Sequence, residues 1–145
     1  MRGSLKDRLT VSNDTRHLLA VRDFTGRMAR QGPLPPEEVH KITLAVDEAV
    51  TNIIEHGFNQ GEKGSIEIEA EWEGEKEKFR VTIRDSARVF NPDSIPSPDV
   101  QEHVKAGRKK GLGLFLMRQI MDEVKYRYKD GQQNELTMVK YVKGK

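Results

Sequence analysis

Glu48 and Asn52 stand four residues apart in the stretch Asp47-Glu48-Ala49-Val50-Thr51-Asn52. On a helix that spacing stacks a carboxylate and an amide oxygen on one face, about 5 to 6 Å apart. Such a pair can orient a hydroxyl or a water for proton removal and can hold a hard, oxygen-seeking cation such as Mg²⁺. The competing reading is a polar helix face that only meets water. A second set runs Gly107-Arg108-Lys109-Lys110-Gly111-Leu112-Gly113-Leu114. Glycines let backbone amides approach a ligand, a helix start presents unpaired N–H groups, and cations neutralise charge, which together are the parts of a phosphate cradle. The Gly-Lys-Ser/Thr order of a Walker loop is absent, and no parallel βαβ unit precedes the glycines as a dinucleotide fingerprint requires. A glycine-rich helix entry with no ligand is the alternative. Asp85 is the third candidate, at the end of an alternating run. A carboxylate at a strand end can accept from the exocyclic amine of an adenine, or it can start an Asx turn.

These residues need elements to position them. Val39, Ile42, Val46, Ala49, Val50 and Ile53 form a helical stripe that predicts a helix to about Gly57, opened by Leu34-Pro35-Pro36-Glu37-Glu38. Glu48 and Asn52 lie roughly 110 to 150° from the centre of that stripe. An earlier helix is predicted from Ala20, Phe24 and Met28 with Val21 beside them, capped by Ser12, Asn13 or Asp14 and stopped at Gly32-Pro33. Leu9 and Val11 suggest a first strand. Ile66, Ile68, Ala70 and Trp72 alternate with glutamates, and after Gly74 so do Phe79, Val81 and Ile83 with Arg80, Thr82 and Arg84, which predicts a hairpin. The following stretch, to Lys110, has three prolines and no period and is expected to be a lid or a disordered segment. Leu112, Phe115, Leu116 and Ile120 predict a third helix. Val124, Tyr126 and Tyr128, a turn at Asp130-Gly131, and Leu136 to Val142 predict two last strands. Helices grouped against a largely antiparallel sheet make an α+β two-layer sandwich.

Composition narrows the function classes. The 145 residues fit a single domain, 1–145, large enough to bury a core without staples. Cysteine is absent, which excludes a disulfide framework, a thiolate nucleophile and a zinc-cysteine site. With 33% charged residues and a net charge of +2, the surface is mixed, and neither an aromatic platform nor a recognition-helix pattern supports direct nucleic-acid binding. No apolar run exceeds four residues, as at Leu114 to Met117, far short of the roughly 20 that a membrane span needs. A cytoplasmic protein without membrane attachment is expected. His17, His40, His56 and His103 are scattered, with no metal-ligand spacing.

The three candidate sets, in this order and separation, resemble the motifs of the ATP-binding domain shared by gyrase, Hsp90, histidine kinases and MutL. Within that superfamily the chain is most similar to the small stand-alone anti-sigma factor serine kinases of bacterial partner-switching systems. The family's Glu-x-x-x-Asn motif appears as Glu48 to Asn52, its adenine motif as Asp85-Ser86-Ala87-Arg88-Val89-Phe90-Asn91-Pro92, and its Gly-x-Gly-Leu motif as Gly111-Leu112-Gly113-Leu114. The resemblance implies a Bergerat-type fold with helices on one face of a mixed, mostly antiparallel sheet. It implies ATP and Mg²⁺ as cofactors, with Asn52 on the metal, Glu48 as the base, and Asp85, Ala87 and Phe90 at the adenine. Gly111, Leu112, Gly113 and Leu114 would meet the phosphates, under a lid at about 86–110 carrying Arg108, Lys109 and Lys110. The implied activity is transfer of the ATP γ-phosphoryl group to a serine of an anti-anti-sigma antagonist protein. The antagonist, a sigma factor or both would be partners, and a homodimer is expected through the first two helices. Substrate and signal are expected to come from separate proteins, because the nucleotide domain fills the chain. One departure stands out: Ala87 occupies the place of the family's first glycine after the aspartate. It keeps open a second reading, a partner-sequestering module with a weakened ATP site.

Overall fold

The computed structural model describes residues 5–57, 63–75, 77–85, 117–129 and 133–142. Strand β1 (Leu5–Ser12) leads into a 3₁₀ turn, Thr15–His17, where the Asp14 side chain accepts from the Arg16 backbone N–H at 2.8 Å. Helix α1 (Leu18–Ala29) follows. Its buried face is Val21, Phe24, Thr25, Met28 and Ala29, whereas Ala20, expected in the stripe, is exposed. A spacing of four defines a row but does not say which side of the row is covered, and Ala20 lies roughly 110° from the centre of the face that is.

Helix α2 (Pro36–Asn52) starts where the prolines and acidic residues predict, with Pro36 in the first turn and Glu37 and Glu38 beside the helix's positive end. The whole predicted stripe, Val39 to Ile53, is buried. Each of the fully buried Ile42, Val46 and Val50 contributes roughly 1.5–3 kcal/mol of transfer free energy. At Ile53 the α-helix passes into a π-type turn, Ile53–Gly57.

The hairpin of β2 (Ser65–Glu73) and β3 (Lys78–Asp85) forms as the alternation predicts, closed by Gly74 and Glu75, both in left-handed backbone at φ 60° and 57°. Among the described residues, strands β4 (Glu123–Lys129) and β5 (Gln133–Tyr141) complete a five-stranded sheet in the order β1-β2-β3-β5-β4, with all four pairings antiparallel. The last strand therefore inserts next to β3, so Asn134 pairs directly with Asp85. Residues 117–120 form a helical turn in which Met117 is buried and accepts from the Met121 N–H. The rest of the predicted third helix, from Leu112 to Leu116, lies outside the described residues.

The two layers follow from the two-residue period of the strands. One sheet face carries Ile66, Ile68, Ala70, Trp72, Phe79, Val81, Ile83, Leu136 and Met138, which join the apolar faces of both helices in one core. The Trp72 indole N–H donates to the Met28 carbonyl at 2.8 Å, tying β2 to the end of α1. Gly32 sits so close beneath that ring that a Cβ there would lie 2.3 Å from it. The opposite face carries charge: Arg84 reaches Glu67, Glu69 and Glu135 at 3.2, 2.6 and 2.8 Å.

Candidate functional site

Helix α2 carries the Glu48–Asn52 pair on its last two turns. Helical periodicity alone places both side chains away from the apolar stripe, yet Asn52 is only 5% exposed and its Nδ2 makes no hydrogen bond among the described residues. An orphaned buried amide costs about 1–3 kcal/mol, so it is rarely left without a purpose. The π-type turn begins immediately after it, and such turns recur at functional sites because they break the helical repeat where a side chain must be re-aimed.

Glu48 is half-buried. Burial first, then the negative charges of Asp47 and Glu55, push its carboxyl above the ordinary 4.5, with Arg22 pulling in the opposite direction. A carboxylate destabilised in its charged form binds a proton more readily, which is what a general base requires. Its neighbour Asp47 is buried and held from α1: Arg22 donates through Nε at 3.0 Å and Nη2 at 3.4 Å to the two carboxylate oxygens. Thr51 also donates its hydroxyl to the Asp47 carbonyl at 2.7 Å, one helical turn back. The ion pair fixes α1 against α2 one residue from Glu48.

Asp85 closes β3 and is 5% exposed, on the core side of the sheet. Its Oδ1 accepts from Asn134 Nδ2 at 3.1 Å, and the Tyr126 hydroxyl donates to Asn134 Oδ1. Asp85 is thus a buried carboxylate that meets Asn134 of the neighbouring strand, and the residues that would form the alternative Asx turn lie outside the described ones. The structure brings Glu48 and Asn52 together on α2 and sets Asp85 on the sheet against the same core. Ala87, Phe90, Arg108, Lys109, Lys110, Gly111, Leu112, Gly113 and Leu114, with the expected lid at 86–110, lie outside the described residues.

Four residues of this region carried no assigned role in the sequence reading. Asn134 had a detectable signal, since it stands at a core-facing position of the Asn134, Leu136, Met138 alternation. Tyr126 read as one more apolar residue of a strand. Arg22 and Asp47 are 25 positions apart and had no pattern linking them. Among the described residues, no helix is long and apolar enough to cross a membrane.

Residues 11–140 match the family profile of the histidine kinase-like ATPase domain. Among curated proteins, the chain is 34% identical over 113 residues to the serine-protein kinase RsbW of Listeria monocytogenes serovar 1/2a, covering 75% of this chain and 69% of the relative. The RsbW of Listeria innocua serovar 6a is similar to the same degree and over the same shares. That of Staphylococcus aureus strain JH9 is 31% identical over 111 residues, 74% of this chain and 68% of the relative. The profile spans the strand–helix–helix–sheet order and includes Glu48, Asn52 and Asp85, so the chain belongs to the histidine kinase-like ATPase domain family.

Proposed function

We propose that this protein is an anti-sigma factor-type serine/threonine kinase, a cytoplasmic switch that binds Mg-ATP and phosphorylates a serine of an anti-anti-sigma antagonist protein. The observation that carries the proposal is the α2 pair: a half-buried carboxylate with a raised proton affinity, one helical turn from a buried amide whose Nδ2 has no hydrogen-bond partner among the described residues. The names of the relatives, serine-protein kinases, support the same reaction.

The side chains fit the cofactor. Among the described residues no three His, Asp or Glu side chains gather into a metal cage, but Mg²⁺ keeps its waters and takes phosphate oxygens, so one protein oxygen suffices. Asn52 Oδ1 would supply it, and its Nδ2, without a partner among the described residues, would be left to donate to a phosphate oxygen. When bound, Mg-ATP supplies the transferable phosphoryl group and the cation that offsets its charge. Asp85 would accept from the adenine amino group, Gly111 and Gly113 would let backbone amides meet the phosphates, and Arg108, Lys109 and Lys110 would neutralise their charge. Glu48 would accept the proton of the attacking serine hydroxyl. Positioning and electrostatics carry most of such a transfer.

Both helices leave an apolar side chain in solvent, Leu19 on α1 at 64% and Leu44 on α2 at 39%. Between the helices lies an open groove of about 400 Å³ bordered by Arg22, Arg30, Leu34 and His40. These features support α1 and α2 as the surface for the antagonist, a sigma factor or a second copy of the chain. The proposal is tested by incubating the protein with γ-labelled ATP, Mg²⁺ and an anti-anti-sigma antagonist. Label on the antagonist, reduced at least about 100-fold by Glu48→Gln and by Asn52→Ala, is the expected result. If ATP binds but no label is transferred, the partner-sequestering reading gains. If ATP does not bind even at millimolar concentration, the kinase reading falls.

A further inference from the structure

Gly26 sits inside α1, where glycine is the least favourable residue after proline because it gives up the most backbone freedom. Conformation does not call for it, since the backbone there is ordinary α-helix. Crowding by another element does not call for it either. The three atoms that an added Cβ would meet first all belong to the Arg30 guanidinium, the nearest at 3.1 Å. Gly32 is the contrast, with the Trp72 ring directly against it. Gly26 is buried nonetheless, under a long, flexible side chain from one turn further along the same helix.

Arg30 is exposed and has no carboxylate within ion-pair distance among the described residues, whereas Arg22 is held by Asp47 at 3.0 Å. Both arginines and Gly26 line the open groove between α1 and α2, with Leu34 and Val39 as its apolar wall and Asp23 on its rim. Because Asp47 offsets Arg22, the charge that remains is positive at Arg30 and negative at Asp23, about two helical turns apart along α1. The groove thus combines a floor of bare backbone, an apolar wall, and a cation at one end whose guanidinium is left for a partner.

We propose that this groove docks a segment of the antagonist protein, with an apolar side chain over Gly26 and a carboxylate on Arg30. The proposal rests on the reading of the chain as a kinase of such an antagonist, and it names where that partner is held. The carboxylate draws Arg30 off Gly26 and pairs with both arms of the guanidinium, which uncovers the floor for close approach. Arg22 borders the groove and holds Asp47, the residue before Glu48, so a segment seated there is anchored beside the helix that carries the base. That continuity assigns the groove to the phosphoacceptor protein. A second copy of the chain fits it poorly, because two identical hollows facing each other about a two-fold axis would enclose a void.

The test is calorimetric titration of an unphosphorylated anti-anti-sigma antagonist into the full chain with Mg-ADP, so that binding is read without turnover. Arg30→Glu reverses the charge, and Gly26→Leu fills the floor with a residue that suits a helix. Each should weaken the antagonist at least about 10-fold while Mg-ADP binds as it does to the parent. Arg30→Glu alters an exposed side chain, so it keeps the test open if Gly26→Leu does not fold. Parent-like affinity for the antagonist in Arg30→Glu overturns the proposal, and does so equally if that variant instead loses a sigma factor or changes its oligomeric mass. Loss of Mg-ADP together with the antagonist marks a general defect and overturns it as well. Phosphotransfer from γ-labelled ATP separates the two layers. If the antagonist binds with the expected pattern but takes no label from the parent, the kinase reading fails and the docking site stands. If label is transferred while both variants bind like the parent, the docking site alone fails.

Discussion

Burial, more than any neighbouring charge, lifts the Glu48 carboxyl above 4.5. A base works only when deprotonated, so phosphotransfer should fall as the pH drops through this raised value, at a higher pH than an ordinary glutamate would give. Asp47→Asn removes a negative neighbour and leaves the Arg22 cation, so the acidic limb of the pH–rate profile should move to lower pH. Arg22→Gln should move it higher. A limb that stays put in both variants would count against Glu48 as the titrating group. The same shift has a stability consequence of opposite sense. A carboxyl with a raised folded-state pKa favours folding at low pH, and that contribution is lost as pH rises through the folded value. Glu48→Gln should therefore unfold at a higher temperature than the parent near pH 7, and the two should converge below about pH 4, where both side chains are neutral. Thermal denaturation at the two pH values measures this. Burial of the Asn52 amide, whose Nδ2 has no hydrogen-bond partner among the described residues, costs stability in the same way.

At the scale of elements, α1 is held to the sheet by the end of β2. Trp72 donates to Met28 and stacks at 5.0 Å on Phe79, so its ring cannot swing away from Gly32. Gly32→Ala places a methyl group into that ring. The expected loss is about 1–3 kcal/mol, read as a lower urea midpoint with an unchanged slope. Trp72 is the only tryptophan, so its fluorescence reports this contact directly. A substitution that leaves the midpoint unmoved would mean the loop before α2 yields without cost. The elements themselves were largely legible. The α2 stripe, the hairpin alternation and the proline–glutamate start each follow from local sterics and periodicity, and they appear where expected. Ala20 was misassigned because a spacing of four does not say which side of a helix the protein covers.

For the whole molecule, the sheet divides a dry face from a charged one. On the charged face Arg84 joins Glu67, Glu69 and Glu135, which would repel one another without it. Burial pushes the Glu69 carboxyl up, but hydrogen bonds from Arg84 and Lys6 outweigh it and hold it below 4.5. A lowered carboxyl contributes stability above its unfolded value, and that contribution is lost as pH falls through the folded one. Arg84→Gln should cost about 1–2 kcal/mol near pH 7 and much less near pH 3, with the difference reduced by high salt. A loss independent of pH would point to packing by the arginine stem instead.

The sequence by itself determined the residue types, the helical and strand periods, and the motif order, because these depend on neighbours within a few positions. It therefore marked Glu48, Asn52 and Asp85, and it favoured an α+β sandwich over other classes. Periodicity set Asn52 on a wet face, and only the tertiary structure buries it. The strand order was equally out of reach, since the insertion of β5 beside β3 brings Asn134 to Asp85 across 49 positions. The pairing of Arg22 with Asp47 likewise depends on how two helices cross. Burial and partner choice are properties of long-range packing, and they decide which of the marked side chains are buried and which groups they meet.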